Sequence, residues 1–440
     1  MKRLMTIVFA GFVVFSSTAQ LMTMDECMVY ALQHSITVSK QQNVLDNADM
    51  DYKRSIASLF PSLSAGVSAS ANFGRSIDPE TNNYTNVATL SNSYSLTASM
   101  PIFAGLRYVN GIRVAAVARE RGYSELQIAR DRVAMEVMRA YIDVLYYRGT
   151  VKIAEEQLAA ARLSLELAQA LYDCGRKSAS DVAELSSQEA NYDYMLTEQN
   201  NNLALSWIRL REVMNYPQEY PLDIADFPET AILSSMVSEE DVLEYALENN
   251  AMVVSSELAV RESKLNLLIA NGAWFPTISL SAGINTSYFV NFDNREAYPG
   301  FSSQFKNNSG EYISLSMSIP IFSNLSRRAS VRYSRNALRN AELEREAVRN
   351  TVESEVVQAC RQMEGYRMQY NMALRKVEAS RLAYNGIVAK YNEGLVTTVE
   401  LQNASATLLQ AQSDCLRSRL QYMIEKRMVD YYSGIPFVME

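Results

Sequence analysis

Two acidic residues occupy matching places in this chain: Asp181 follows Gly175 by six residues, and Glu400 follows Gly394 by six. Each closes a short pattern, Ser178-x-x-Asp181 and Thr397-x-x-Glu400. That spacing makes a capping box, in which the acid satisfies free amides at a helix N-terminus and complements the helix dipole. Few other residues invite chemistry. His34 is the single histidine, which removes most zinc, haem and general-base schemes. Cys27, Cys174, Cys360 and Cys415 could pair in three ways, and their spacing does not choose among them. There is no G-x-S-x-G, C-x-x-C, H-E-x-x-H or glycine-rich phosphate loop. No catalytic, cofactor-binding or metal-binding residue is assigned, no cofactor is expected, and the chain does not read as an enzyme. A net charge of −8 and a pI near 5.1 give no footprint for nucleic acid.

The elements that would carry these acids repeat. "ECMVYALQHS" (26–35) aligns with "DVLEYALENN" (241–250) at a shift of 215, which also places Phe60-Pro61 on Phe275-Pro276. "SMPIFAGL" (99–106) and "SIPIFSNL" (318–325) lie 219 apart, and that shift then maps Tyr172 onto Tyr391, Gly175 onto Gly394 and Pro217 onto Pro436. A period this long is architectural. None of the cysteines is duplicated, so they read as incidental. The implied division is residues 20–217 for a first copy, 218–237 for a linker with irregular structure, and 238–440 for a second copy.

Each copy holds two strictly alternating segments. In 62–73 the apolar residues Leu63, Ala65, Val67, Ala69, Ala71 and Phe73 alternate with Ser, Gly and Asn. In 89–100 Leu90, Tyr94, Leu96, Ala98 and Met100 do the same, with Asn92 the one lapse. The second copy repeats the pattern in Ile278, Leu280, Ala282, Ile284 and in Ile313, Leu315, Met317, Ile319. Period two with one polar face is the signature of strands between lipid and water. The remainder is helical in pattern. From about Gly105 to Tyr172 and from Asn324 to Tyr391 there is no proline, and apolar steps of four and three run through Ala154, Leu158, Ala161, Leu165, Ala168 and Tyr172. Ala373, Val377, Ser380, Tyr384, Ile387 and Tyr391 keep the same register, the seam of a left-handed coiled coil. Each long helix would reach about 100 Å. Segments 25–59, 179–214, 239–274 and 398–433 complete the helices, and "PIF" marks the exit from strand to long helix.

Four strands cannot close a barrel, and open edges do not survive in lipid, so closure requires several chains. Two chains would give eight strands and a filled interior, three would give twelve and room for a channel. At the N-terminus, Lys2 and Arg3 precede an apolar run from Leu4 to Phe15 and small residues up to Ala19, the pattern of a secretory signal over residues 1–19.

The signal pattern, the two-copy design, the P-[IL]-F exits and the paired turns "YDCGRKSASDVAEL" (172–185) and "YNEGLVTTVELQNA" (391–404) together resemble the TolC family of outer-membrane efflux ducts, over nearly all of residues 22–436. The resemblance implies a homotrimer with a twelve-stranded barrel in outer-membrane lipid and a helical tunnel crossing the periplasm. It also implies a periplasmic adaptor and an inner-membrane pump as partners, in a tripartite efflux or type I secretion system. Gly175, Arg176 and Lys177, with Gly394, Leu395 and Val396, match the turns that meet the adaptor. Asp181 and Glu400, each present three times in a trimer, would form an acidic constriction that favours cations, with capping as their simpler role. The family's gate latches through a tyrosine before the second glycine and a basic residue after it. Tyr391, and Tyr172 in the first copy, match the tyrosine; Val396 stands where the basic residue is expected, and Lys177 is the nearest substitute. Trp274, Phe275, Phe60, Phe103 and Phe322 are expected at an aromatic belt or in junction packing. A passive porin would need the strands without the long helices, and a periplasmic coiled-coil rod the helices without the strands.

Overall fold

The structure is a computed structural model that describes residues 20–77, 82–86, 88–226, 238–293 and 295–438. The expected signal segment 1–19 and residues 227–237 of the expected linker lie outside the described residues. The chain forms two compact units, one of Asn43–Ser124 with Val254–Ala347, the other of the segments up to Gln42, Glu125–Val253 and Val348 onward. Each unit takes residues from both sequence copies.

The first of these units contains an antiparallel sheet of β2 (Ser62–Asn72), β5 (Thr89–Ala104), β7 (Thr277–Asn291) and β8 (Gly310–Ser318), in the order β2-β5-β7-β8. The hairpin of each copy therefore lies beside that of the other, joined through β5 and β7. Register sorts the side chains onto two faces. Leu63, Ala98, Ala282 and Ile313 share one face, as do Ala65, Leu96 and Ile284. The opposite face carries Ser64, Thr97, Gly283 and Tyr312, and above them Ser68, Ser93 and Ser287. Hydroxyl pairs cross the polar face, Ser68 to Ser93 at 2.6 Å and Ser279 to Ser316 at 2.7 Å. The apolar face is uncovered at its margins, where Val67 is 74% and Ile313 81% exposed. Both edge strands, β2 and β8, keep one side unpaired within the sheet.

Short polar elements sit at the hairpin ends: β3 (Arg75–Ile77) pairs with β4 (Tyr84–Asn86), and α7 (Phe301–Asn307) precedes β8. Both lie in segments, 74–87 and 289–311, that are polar in sequence, the second with an aromatic-rich stretch.

The other unit is helical: it holds α3 (Arg107–Asp173) from Glu125 onward and α8 (Ser326–Asn392) from Val348 onward, 67 residues each in full, with α4 (Ala179–Met214) and α9 (Thr398–Tyr432). Of the seam expected from period 3.5, Ala154, Leu158, Ala161, Ala168, Ala373 and Tyr391 are buried and Leu165, Val377, Ser380, Tyr384 and Ile387 partly so, whereas Tyr172 is exposed. At the other end of α9, Tyr431 donates to Asp131 on α3 at 2.8 Å and Tyr432 to Glu355 on α8 at 3.0 Å. Burial pushes the Asp131 carboxyl above its ordinary pKa, against the lowering effect of the Tyr431 and Gln127 hydrogen bonds. A parallel pair joins β1 (Gln20–Met22) to β6 (Leu222–Ile224), so the expected linker, read as irregular, contains a short strand that pairs with the start of the first copy. Tyr141 on α3 pins it, donating to Ala225 O at 2.6 Å. Cys27 is buried nearby with its thiol pushed up to about 12 by desolvation, and all four cysteines are free.

Two expectations need correction. Segments 25–59 and 239–274 are not single helices: α1 (Met24–His34) and α2 (Ile36–Ala57) part at Ser35, and α5 (Glu239–Asn249) and α6 (Ala251–Gly272) part at Asn250. Ser35 and Asn250 are extended, and each caps the helix that follows, Ser35 Oγ accepting from Val38 N at 3.3 Å and Asn250 Oδ1 from Met252 N at 2.9 Å. Small polar side chains compete with the helix for its own amides, which places the breaks. "PIF" also differs between copies. Pro101 and Phe103 remain inside β5, across a register shift, whereas β8 ends at Ser318 before Pro320. The shared turn comes later, at Gly105-Leu106 (φ +62°, +60°) and Asn324-Leu325 (φ +47°, +62°). Gly and Asn tolerate this left-handed region best, which accounts for "AGL" and "SNL". A Cβ on Gly105 would also lie 2.2 Å from Gly272 O, so this position has no room for a side chain.

Candidate functional site at the helical turns

Gly175 and Gly394 end α3 and α8 in the same way. Gly175 N donates to Tyr172 O at 2.8 Å and Arg176 N to Leu171 O at 2.8 Å; Gly394 N donates to Tyr391 O at 3.0 Å and Leu395 N to Lys390 O at 2.9 Å. These are Schellman closures, and the φ values of +71° and +75° explain why glycine stands at both. Three residues on, Ser178 and Thr397 begin α4 and α9.

The two acids then diverge. Asp181 completes a reciprocal capping box: its N–H donates to Ser178 Oγ at 3.2 Å, and its carboxylate accepts from Ser178 N at 3.2 Å and Ser178 Oγ at 2.8 Å. Its other oxygen accepts from Thr398 Oγ1 at 3.3 Å, on the opposite turn. Hydrogen bonds from the Ser178 hydroxyl and backbone hold the Asp181 carboxyl below the usual carboxylate range, helped by Lys177 and Thr398. Glu400 makes half a box: its N–H donates to Thr397 Oγ1 at 3.3 Å, and among the described residues its carboxylate returns no bond. Glu400 is exposed. Glutamate has one more methylene than aspartate, and here it enters the cap through its backbone N–H.

Tyr391 and Lys177 do meet. The Lys177 ammonium lies 4.0 Å from the centroid of the Tyr391 ring, a cation–π contact between the two copies. Tyr391 is 2% exposed and its hydroxyl has no hydrogen-bond partner among the described residues, so the ring face makes this contact. It rests in an apolar cluster with Ala168, Leu185 and Leu401, onto which Val182, Ile387 and Val396 pack. Val396 thus faces the cluster. Gly175, Arg176, Gly394 and Leu395 are exposed, and Lys177 is half-buried. Tyr172, the counterpart of Tyr391, is 43% exposed and outside the cluster. The structure therefore brings Asp181, Lys177 and Tyr391 together, and leaves Glu400 and Tyr172 apart from them.

Behind the turns lies a polar chain that single-residue inspection misses. Tyr192 on α4 and Ser405 on α9 share a hydrogen bond of 2.9 Å, and Ser405 donates to Gln157 on α3 at 2.8 Å. All three are buried, beside Leu158 and Ala161. Polar residues at seam positions are the only signal in the sequence, and pairing them requires the fold.

Comparisons with known proteins can be set beside this geometry. Residues 28–216 and 242–430 each match the family model described as outer membrane efflux protein, one match per sequence copy. The chain is 22% identical over 346 residues to the outer membrane efflux protein BepC of Brucella suis, covering 79% of this chain and 72% of that one. It is 22% identical over 317 residues to the outer membrane protein TolC of Vibrio cholerae, covering 68% and 67%. The crystal structure of the outer membrane protein VceC from Vibrio cholerae superposes with a TM-score of 0.78 at 15% identity, over 94% of this chain and 96% of that one, a likeness of fold.

Proposed function

We propose that this chain, which belongs to the outer membrane efflux protein family and is an outer-membrane efflux channel, serves as the exit duct of a tripartite efflux or type I secretion system. The observation that carries the reading is the four-stranded sheet, apolar on one face, hydroxyl-rich on the other and unpaired at both edges. Such edges are costly in lipid, and three copies joined edge to edge give twelve strands around a wet lumen. The helical unit then supplies a periplasmic tunnel, and the exposed residues Gly175, Arg176, Gly394 and Leu395 supply the surface for a periplasmic adaptor, itself joined to an inner-membrane pump. The duct works by access, with no reaction to catalyse.

The turns form the gate. Within one chain, the Lys177–Tyr391 and Asp181–Thr398 contacts latch the two turns together. Between chains, the repeat would set Tyr172 of one protomer against the Val396 turn of the next, where neither the cation nor the donor recurs, Val396 standing in the place of Lys177 and Ala179 in that of Thr398. The seam between chains is the weaker one, and the mouth opens along it. Asp181 and Glu400, three of each, make this mouth acidic and favour cations.

Planar-bilayer recording tests this reading. The purified protein should give small, cation-preferring conductance steps from a mostly closed state, and Lys177→Met should raise the open fraction. A large steady conductance insensitive to that change would indicate a passive porin, and a protein that leaves membranes with salt and conducts nothing would indicate a rod.

A further inference from the structure

The lipid-facing side of the sheet has one irregularity. Going up β5 and β7, its paired residues are Phe103 and Ile278, Met100 and Leu280, Ala98 and Ala282, Leu96 and Ile284. Then the chemistry changes: Tyr94 pairs with Thr286, and Asn92 with Tyr288. Asn92 is the lapse in the alternation, and its Oδ1 is buried without a hydrogen-bond partner among the described residues. Polar groups on a lipid face are costly unless something covers them.

Helix α7 covers them. Phe301 lies edge-on to Tyr94 at 6.0 Å and to Tyr288 at 5.3 Å, and Phe305 to Tyr94 at 5.4 Å. Thr286 Oγ1 donates to Phe305 O at 2.7 Å, and Gln304, buried, donates to Phe289 O and accepts from Phe289 N at 2.8 and 2.9 Å. The helix is thus fixed to the strand backbone on the apolar side of the sheet. Its outward residues Ser302, Ser303, Lys306 and Asn307 are exposed and polar. On β8 the same face opens with Glu311, opposite Ile284, before turning apolar at Ile313.

We propose that α7 is an interfacial belt helix on the outside of the barrel, lying in the headgroup layer of the outer leaflet and marking the upper limit of the hydrocarbon. The occupant of its outer surface is lipid headgroup. The height agrees: Ile278 to Tyr288 is ten steps, about 33 Å along the strand and about 25 Å when tilted by about 40°, the height of an apolar belt between two aromatic girdles. The lower girdle is then Trp274, Phe275 and Phe322, all exposed. Polar side chains outward, half-exposed rings of Phe301 (47%) and Phe305 (42%) laid against Tyr94 and Tyr288, and attachment to the lipid face suit the headgroup layer and neither the lumen nor the hydrocarbon.

The inference rests on the channel reading, and one experiment separates the two. Cys174, Cys360 and Cys415 are changed to Ser, the buried Cys27 is kept, and bimane is attached to either Ser302→Cys or Leu96→Cys in trimers reconstituted in nanodiscs. The phospholipid carries a nitroxide at the headgroup or deep in the acyl chain. The Leu96→Cys label should lose emission to the deep nitroxide, and the Ser302→Cys label to the headgroup nitroxide while being spared by the deep one. A Ser302→Cys label untouched by either nitroxide, or lost mainly to the deep one, with Leu96→Cys behaving as stated, overturns the belt helix alone. If the Leu96→Cys label is also untouched, the face assignment has failed and the inference falls with it.

Discussion

Replacing Tyr391 by Phe should leave the gate closed, and replacing it by Leu should open it. The reason is the geometry of the contact: Lys177 sits 4.0 Å above the ring, while the hydroxyl is buried without a partner. Phe keeps the ring face and removes a group that gains nothing, so its effect should be near neutral. Leu removes the ring. A half-exposed cation–π contact contributes about 1 kcal/mol, so one latch shifts the ratio of open to closed by about fivefold. If three latches in a trimer act together, the sum is about 3 kcal/mol and the shift about 150-fold. Lys177→Met, which keeps an unbranched stem without the charge, should match Tyr391→Leu in direction. In the double variant the second change should add little, because the two residues share one interaction. Single-channel open probability in planar bilayers reads all four variants. Tyr391→Phe opening the channel as far as Tyr391→Leu would show that the hydroxyl holds the latch, and the ring-face argument would be wrong.

Four other outcomes are expected. Leu96→Asp should impair membrane insertion, by less than the roughly 2–4 kcal/mol that a basic residue costs at the bilayer midplane, read as loss of heat-modifiable trimer on gels, while Thr97→Asp on the polar face should be tolerated. Gly394→Ala should cost about 1–2 kcal/mol from the left-handed backbone alone, since open space surrounds the position, and thermal melts should show it. Ser405→Ala should destabilise the helical unit by about 1–3 kcal/mol in denaturant titration, because Gln157 and Tyr192 lose their shared partner. Asp181 has a folded pKa below its unfolded value near 3.9, so its contribution is present above about pH 4 and is lost as pH falls through the folded pKa. The protection factors of the amides at residues 179–182, taken against the intrinsic exchange rate at each pH, should therefore fall as the pH drops below about 4, and Asp181→Asn should flatten that dependence.

Much of the architecture is legible in residue order because two periods carry it. Alternation from Leu63 to Phe73 and from Ile313 to Ile319 marks strands, and steps of four and three from Ala154 to Ala168 mark a buried seam. The tips are legible because Gly175 and Gly394 obey a backbone requirement that few other residues meet. What escapes the sequence is set by partners distant along the chain. The helix breaks at Ser35 and Asn250 depend on single caps within otherwise continuous patterns. Asp181 and Glu400 look equivalent at identical spacing, yet Thr398 lies within reach of Asp181, and Glu400 forms half a box. Lys177 can be named as the nearest cation, but its place over the ring of Tyr391 follows only from the packing of Ala168, Leu185 and Leu401. Asn92 reads as a flaw in a strand until α7 is seen against the neighbouring residues.

The claim on which the rest depends is that three copies of an open four-stranded sheet complete one barrel. Native mass spectrometry of the protein released from detergent measures this directly. A single species with the mass of three mature chains is the result the account predicts, and Leu96→Asp should reduce it. A monomer, a dimer or a ladder of sizes would contradict it, because none of these pairs the β2 and β8 edges into twelve strands.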